Sequence, residues 1–380
     1  MSDAPLEIFL QAPPGLEQLL ADEAREKGFV DPVTVPGGVT TRGGWDEVWR
    51  ANLVLRGAGR VTVGIGGFMA FHLAQLDKRS RKFPWQEILH PGEAVRVEAV
   101  CRRSKIYHAG AAKQRIEAAL TDFGARIVGP GNEDEEETAE APLTLRVRIE
   151  DNAVAFSIDS SGAPLHRRGT KQFVGKAPMR ETLAALMLRA CGYRGDQPVY
   201  DPMCGSGTFV LEAAAIASGQ PAGAARSFAF ERLASFDAQR YAALRDNLPA
   251  PVSTELRFAG SDRDAGAVAG ATANAERAGL AENVTFRHAA VSDARPPEGP
   301  PGLVMVNPPY GGRIGNKKLL YALHGALGET LRREFRGWRV GIVTSEPGLA
   351  RATGLPLKAW GPPIPHGGLR ITLFTAPPLG

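Results

Sequence analysis

Cysteine is scarce in this chain: 380 residues contain three, Cys101, Cys191 and Cys204. An odd number with no C-x-x-C spacing excludes a disulfide framework and offers no zinc cluster, so buried thiols and no metal are expected. Long apolar runs are missing too. Nothing approaches the roughly 18 consecutive apolar residues of a membrane helix, and the opening MSDAPLEIFL lacks the basic segment and apolar core of a secretory signal. A cytoplasmic protein with no membrane association is expected. No large excess of either charge exists, since the formal net charge is +4. With 43% apolar and 23% charged residues the composition is that of a globular protein, and the length calls for two or three domains.

Two further absences narrow the ligand of a glycine loop. The run Val199-Tyr200-Asp201-Pro202-Met203-Cys204-Gly205-Ser206-Gly207-Thr208 ends a strand in an acid and turns into the apolar helix 209–217. Glycines let the backbone approach a ligand closely, and a helix start offers free N–H groups. A nucleoside triphosphate would require Lys-Ser/Thr after the second glycine, where Phe209 stands. A dinucleotide would want a third glycine, where Val210 stands, and a carboxylate at the strand end repels pyrophosphate. Asp201 instead suits a positively charged ligand, such as the amino group or sulfonium of S-adenosyl-L-methionine. The next strand ends in Gly260-Ser261-Asp262, a carboxylate where ribose hydroxyls need an acceptor. The third ends near Ser292-Asp293, placed to accept from an adenine amino group. One such acid is usually a cap; three at successive strand ends around two glycines make a cofactor site.

Leu303 to Val306 is an unbroken apolar run that reads as a strand buried on both faces, and it delivers Asn307-Pro308-Pro309-Tyr310 to its C-terminal edge. Two prolines fix two φ angles and remove two N–H donors, so the segment is a rigid bracket. An Asn oxygen, a proline carbonyl and the face of Tyr310 together fit a flat ring bearing an NH2 group. Adenine N6, cytosine N4 and guanine N2 all meet that description.

Charge is unevenly distributed. Between His72 and Arg115 ten Lys/Arg face four acids, and the run Arg167, Arg168, Lys171, Lys176, Arg180 contains no acid. Such clusters are the electrostatic footprint of a nucleic acid, and a solvated face is the alternative. A polar turn and the helix start after it gather Arg102, Arg103, Lys105, Tyr107, His108 and Lys113. The acidic stretch 129–142, framed by Gly and Pro, reads as a loop without assigned function.

In chain order, a helix is expected over 15–27 with Gly28 as its C-cap, strands over 33–41 and 61–67, and a helix between them over 46–55. A strand over 95–101, a helix over 107–123 and a hairpin of 143–149 and 154–158 around Asp151-Asn152 follow. Pro178 opens the next helix. Strands then alternate with helices near 198–202, 255–261, 284–288, 303–307 and 339–345, with a final pair near 355–361 and 369–375, as in a doubly wound domain. The long segment 218–254 should add helix and pack Phe228, Phe230 and Phe236 on the body.

With DPMCGSGT, GSDRD and NPPYGGRIG in this order, the second half resembles class I amino-methyltransferases. APPGLEQLLADEAREKGF, YHAGAAKQRI, LHRRG and APMRETLAALML extend the resemblance over nearly the whole chain, to the THUMP-containing bacterial RNA methyltransferases of the RlmL type, which modify guanine N2 in 23S rRNA. The resemblance implies an α/β fold: a Rossmann-like methyltransferase domain with a seven-stranded, mostly parallel sheet over 161–380, preceded by a ferredoxin-like segment, 1–60, and an RNA-binding THUMP domain, 61–160. It implies catalytic residues Asn307, Pro308, Pro309 and Tyr310, and a cofactor set of Asp201, Met203, Cys204, Gly205, Gly207, Thr208, Asp262, Arg263, Asp293 and Asn307 with Pro178 and Glu181. Arg102, Arg103, Lys105, Tyr107, His108, Lys113, Arg167 and Arg168 would touch RNA. Thr170, where relatives often carry an aromatic residue, and Gly312, where an acid is common, depart from the pattern and leave base and RNA choice open. The same chemistry on tRNA guanine, an adenine-N6 methyltransferase, or a non-catalytic RNA-binding assembly factor are the alternatives.

Overall fold

The computed structural model describes residues 5–129, 141–174, 179–310 and 317–380. They gather into two compact units, one drawn from 1–12, 21–165 and 226–248, the other from 13–20, 166–225 and 249–380.

The first unit is built on an eight-stranded sheet. Its strands are β1 (Leu6–Gln11), β2 (Val30–Val35), β3 (Gly38–Gly43), β4 (Val61–Met69), β5 (Ala94–Arg102), β6 (Arg126–Ile127), β7 (Leu143–Glu150) and β8 (Ala153–Asp159), in the order β2-β3-β1-β4-β8-β7-β5-β6. Helices α1 (Glu17–Glu26), α2 (Trp45–Val54), α3 (Leu73–Ser80) and α4 (Ala109–Phe123) run between them in the chain, and the start of α1, to Leu20, is counted with the second unit. The period-2 pattern of β7 explains its setting: Leu143, Leu145, Val147 and Ile149 are buried, while Arg146 and Arg148 point the other way. The expected hairpin turns through Asp151 and Asn152, both with positive φ. The expected single strand over 33–41 is instead the hairpin β2–β3, because Gly37 at φ 82° reverses the chain after Pro36. β4 is hydrogen-bonded to β1 on one side and β8 on the other, so the ferredoxin-like segment and the residues after 61 share one sheet.

The second unit carries a seven-stranded sheet, as expected. β9 (Val199–Asp201), β10 (Phe258–Asp262), β11 (Val284–His288), β12 (Leu303–Val306), β13 (Arg339–Thr344), β14 (Lys358–His366) and β15 (Leu369–Ala376) stand in the order β11-β10-β9-β12-β13-β15-β14. The first five are parallel; β15 runs antiparallel to both its neighbours. Helices α5 (Glu181–Ala190), α6 (Thr208–Ala217), α8 (Ala265–Arg277), α9 (Lys317–Glu334) and α10 (Pro347–Ala352) accompany the sheet, and α7 (Ala238–Asp246) lies in the first unit. Every residue of β12 is fully buried, and Val304 and Val306 pack in one cluster with Leu327, Leu331, Phe335 and Trp338.

The segment 226–248 adds its rings to the first unit. Trp49 of α2, wholly buried, lies 6.1, 5.5 and 6.1 Å by ring centroids from Phe230, Phe236 and Tyr241. No helix among the described residues is long and apolar enough to cross a membrane, and no group of His, Cys, Asp or Glu among them could hold a metal ion.

Candidate active site

The strand order reverses at β9: the chain steps outward through β10 and β11, then returns to place β12 on the other side of β9. A reversal of this kind opens a crevice at the C-terminal ends of the parallel strands, where ligands of α/β sheets bind. Asp201 ends β9, Asp262 ends β10, and Asn307 follows β12, so all three stand along that edge. Asp293 lies in the turn 291–293 after β11. What the sequence placed at successive strand ends the fold brings to adjacent ones.

The glycine loop is shaped by two left-handed residues, Gly205 at φ 51° and Gly207 at φ 83°. A Cβ on Gly207 would sit 2.7 Å from the Phe286 ring, whereas one on Gly205 would meet nothing within 4 Å. Gly205 thus leaves an open cradle beside the loop. Asp262 holds the loop in place, since Oδ2 accepts from Gly205 N at 2.9 Å and Oδ1 from Asp264 N at 3.0 Å. Gly207 leads directly into α6, whose first residue is Thr208.

Asp201 is buried, and Oδ1 accepts from Met203 N at 2.9 Å. Burial pushes its carboxyl up to about 8, the Met203 N–H opposes this, and the neighbouring Asp262 adds to it. A cation set beside it would reverse the balance, so this carboxyl fits a positively charged ligand. Burial also raises the Cys204 thiol, with the two carboxylates adding to the effect, so it stays a neutral, apolar wall. Across β9, the Asn307 Oδ1 atom is buried and accepts no hydrogen bond among the described residues. A buried acceptor without a donor costs about 1–3 kcal/mol, which a ligand N–H at this position would recover. Pro308 is buried; Pro309 and Tyr310 are half-buried.

Other expected residues fall in different places. Glu181 pairs with Lys171 at 2.8 Å, both nearly buried, and the same Lys171 Nζ donates to Thr208 Oγ1 at 2.8 Å. Arg263 is exposed, its carbonyl held by His288 Nε2 at 3.0 Å. Pro178 and Gly312 lie outside the described residues. Arg102, Lys105, Tyr107, His108 and Arg167 are exposed. His108 caps α4 through Nδ1, which accepts from Ala111 N at 3.0 Å, and Lys113 lies 3.6 Å from Glu117. Arg168 is corrected: its side chain is only 10% exposed and pairs with the buried Glu212 at 3.1 Å, so it cannot read a phosphate without breaking a buried ion pair.

Sequence reasoning missed Asn274. This buried amide in α8 accepts from the backbone N–H groups of Gln172 and Phe173, both at 3.2 Å, and donates to the carbonyls of Phe173 and Ser206 at 3.1 and 3.2 Å. It therefore ties the strap 172–173 to the glycine loop. An Asn at mid-helix carries no local signal for such a task. Only Gly270 one turn earlier hints at it, since a Cβ there would lie 2.3 Å from the Phe173 ring.

A switch-point crevice with a cation-seeking acid on one strand and an unpaired amide oxygen on the next defines a Rossmann-like methyltransferase domain. Residues 168–358 match the model of the RMKL-like methyltransferase domain, and residues 7–62 that of the RlmL ferredoxin-like domain. The chain belongs to this RMKL-like methyltransferase family. The ribosomal RNA large subunit methyltransferase K/L of Syntrophotalea carbinolica is 35% identical over an alignment 374 residues long that covers 93% of this chain and 51% of that protein. The chain thus spans about half the length of that relative. The Synechocystis protein slr0064, which carries the name of an RNA methyltransferase, is 30% identical over 95% of this chain and 94% of its own. A crystal structure from Listeria monocytogenes, described as a predicted N6-adenine-specific DNA methylase, has a TM-score of 0.81 at 29% identity and covers 97% of this chain and 96% of its own.

Proposed function

We propose that this chain uses S-adenosyl-L-methionine to methylate the N2 amine of a guanine in large-subunit ribosomal RNA. The observation that carries the reading is the buried, unpaired Oδ1 of Asn307, on the same sheet edge as Asp201 and the open cradle at Gly205. The donor supplies an electrophilic methyl group on a sulfonium. Asp201 would attract its positive charge, Asp262 and Asp293 would accept from hydroxyl and amino groups of its nucleoside, and Gly205 would let the backbone come close.

An aromatic amine is a poor nucleophile because its lone pair is delocalised into the ring. The Asn307 oxygen and the Pro308 carbonyl would accept its two N–H groups, draw the nitrogen toward sp3 geometry and aim the lone pair. Orientation of this kind removes about 7–11 kcal/mol of barrier in good cases. Tyr310 would stack on the base, a contact of about 1–3 kcal/mol, once the base has left any helix it occupied. The ferredoxin-like segment and residues 61–160, read as a THUMP domain, would present the RNA. The name of the Syntrophotalea relative supports ribosomal RNA as the target.

Tritiated methyl transfer to total RNA from a deletion strain, followed by nucleoside analysis, tests this. Label in N2-methylguanosine of the large ribosomal RNA is expected. Label in N6-methyladenosine, the base named for the Listeria relative, would reassign the amine; label in tRNA would reassign the RNA. Donor binding with no label in any RNA would indicate an assembly factor.

A further inference from the structure

We propose that Phe71, Lys105 and Tyr107 form a stacking platform for an unpaired RNA segment at one end of the eight-stranded sheet. The inference rests on RNA being the target. Large exposed aromatic side chains are few among the described residues: Phe71 is 42% exposed, Tyr107 83% and Tyr321 44%. Two of these three flank a single lysine. The Lys105 Nζ lies 5.5 Å from the centroid of the Phe71 ring, and Tyr107 follows two residues later. Scattered exposed rings need no explanation, so the aromatics alone decide nothing.

The backbone beneath them is what singles the place out. Among the described residues four other than glycine have positive φ, and three of them, Arg103 at 44°, Asp151 at 49° and Asn152 at 66°, meet here. Asp and Asn adopt this conformation readily in a two-residue hairpin turn, but an arginine does not, and Arg103 keeps it only where its surroundings hold it. The surroundings do so. Arg103 reaches across to Glu150 at 2.6 Å and to both Asp151 oxygens at 3.2 and 3.3 Å. Asn152 Oδ1 accepts from Lys105 N at 2.9 Å and Ser104 Oγ at 3.2 Å, and its carbonyl accepts from Ala70 N at 2.9 Å. The turn after β5, the β7–β8 turn and the chain after β4 are therefore locked together, and Phe71 and Lys105 each adjoin a locked residue. Arg103, expected as an RNA ligand, becomes the clamp of this arrangement.

Chemistry selects the occupant. Exposed ring faces stack on base faces, and a duplex hides its base faces. Glu150 is engaged by Arg103 and Arg148, and Asp151 by Arg103, whereas the exposed Arg102 and Lys105 have no carboxylate partner among the described residues. The uncompensated charge at the platform is positive, as a phosphate chain requires.

Fluorescence anisotropy on the full chain tests the platform, with a labelled single-stranded RNA of about 12 nucleotides and the same sequence as a duplex. Phe71→Ala and Tyr107→Ala are each expected to weaken single-strand binding roughly 5- to 100-fold and to leave duplex binding unchanged. Tyr107→Phe, which keeps the ring, is expected to bind as the parent does. Unchanged single-strand affinity in both alanine variants, or equal losses for strand and duplex, overturns the platform while the RNA target stands. Failure of the parent chain to bind either RNA overturns the target reading and the platform with it.

Discussion

Single residues at the switch point separate holding the donor from orienting the acceptor. Asn307→Ala removes the buried oxygen assigned to the acceptor amine, so turnover should fall by about 100-fold or more while donor affinity in calorimetry stays as it was. Equal losses in both would mean that Asn307 only supports the loop. Asp201 gives a pH signature whose sign follows from burial. Its carboxyl is raised to about 8, so at neutral pH the empty site holds a proton, and a cationic donor must displace it. Donor affinity should rise with pH, by at most about tenfold per unit below about pH 8, and level off above it. Calorimetry in buffers of different ionisation enthalpy should show proton release on binding. The same proton stabilises the fold at low pH, a contribution lost as pH climbs from the ordinary carboxyl value of 3.8 toward 8. Asp201→Asn should bind the donor weakly and without pH dependence. Asp201 and Asn307 were legible because each belongs to a contiguous motif. Lys171 and Asn274 were not, because their partners at Thr208, Glu181, Gln172 and Ser206 are chosen by tertiary packing rather than by neighbours in sequence.

At the level of elements, hydrophobic period and punctuation carried most of the fold. β11 spans 284–288 as expected, and the antiparallel pair that closes the second sheet is present, though β14 begins three residues later than expected and runs on to His366. The β2–β3 hairpin was misread because Val33, Val35, Val39 and Thr41 continue one apolar and β-branched series across Pro36-Gly37, and the turn signal was outweighed by the pattern around it. The strap before α5 escaped notice for another reason: it has no regular secondary structure, and its position is set by α8. Phe173 fits only because position 270 has no Cβ. Gly270→Ala should therefore displace Phe173 and loosen the bonds that Asn274 makes to the strap and to Ser206. The expected outcome is faster amide exchange in 170–174 and weaker donor binding, with only a modest loss of overall stability. Asn274→Ala, which leaves the buried Ser206 carbonyl and three part-buried strap groups without their partner, should cost more, about 2–4 kcal/mol in denaturant unfolding.

For the whole molecule, the path of the chain matters more than its division at 160 or 165. The sequence read 218–254 as a decoration of the catalytic half, with Phe228, Phe230 and Phe236 packed on the body. The rings do pack, but into the first unit, which takes 226–248 before the chain returns to the second at 249. No property of those residues announces the change of unit, since an apolar ring is equally suited to either core. The consequence is that a cut at the apparent linker leaves neither half complete. A fragment of 1–165 would expose Trp49, now wholly buried, and lose its contacts with Phe230, Phe236 and Tyr241. Aromatic packing of this size is worth about 3–5 kcal/mol per large ring removed, a substantial part of the stability of one domain. That fragment should bind an apolar dye and melt well below the intact chain. A peptide of 226–248 added in trans should suppress the dye signal and raise the melting temperature, whereas one with Phe230→Ala and Phe236→Ala should do neither. A fragment that melts like the intact chain, with no response to the peptide, would mean that the returning segment only rests on a unit already complete without it.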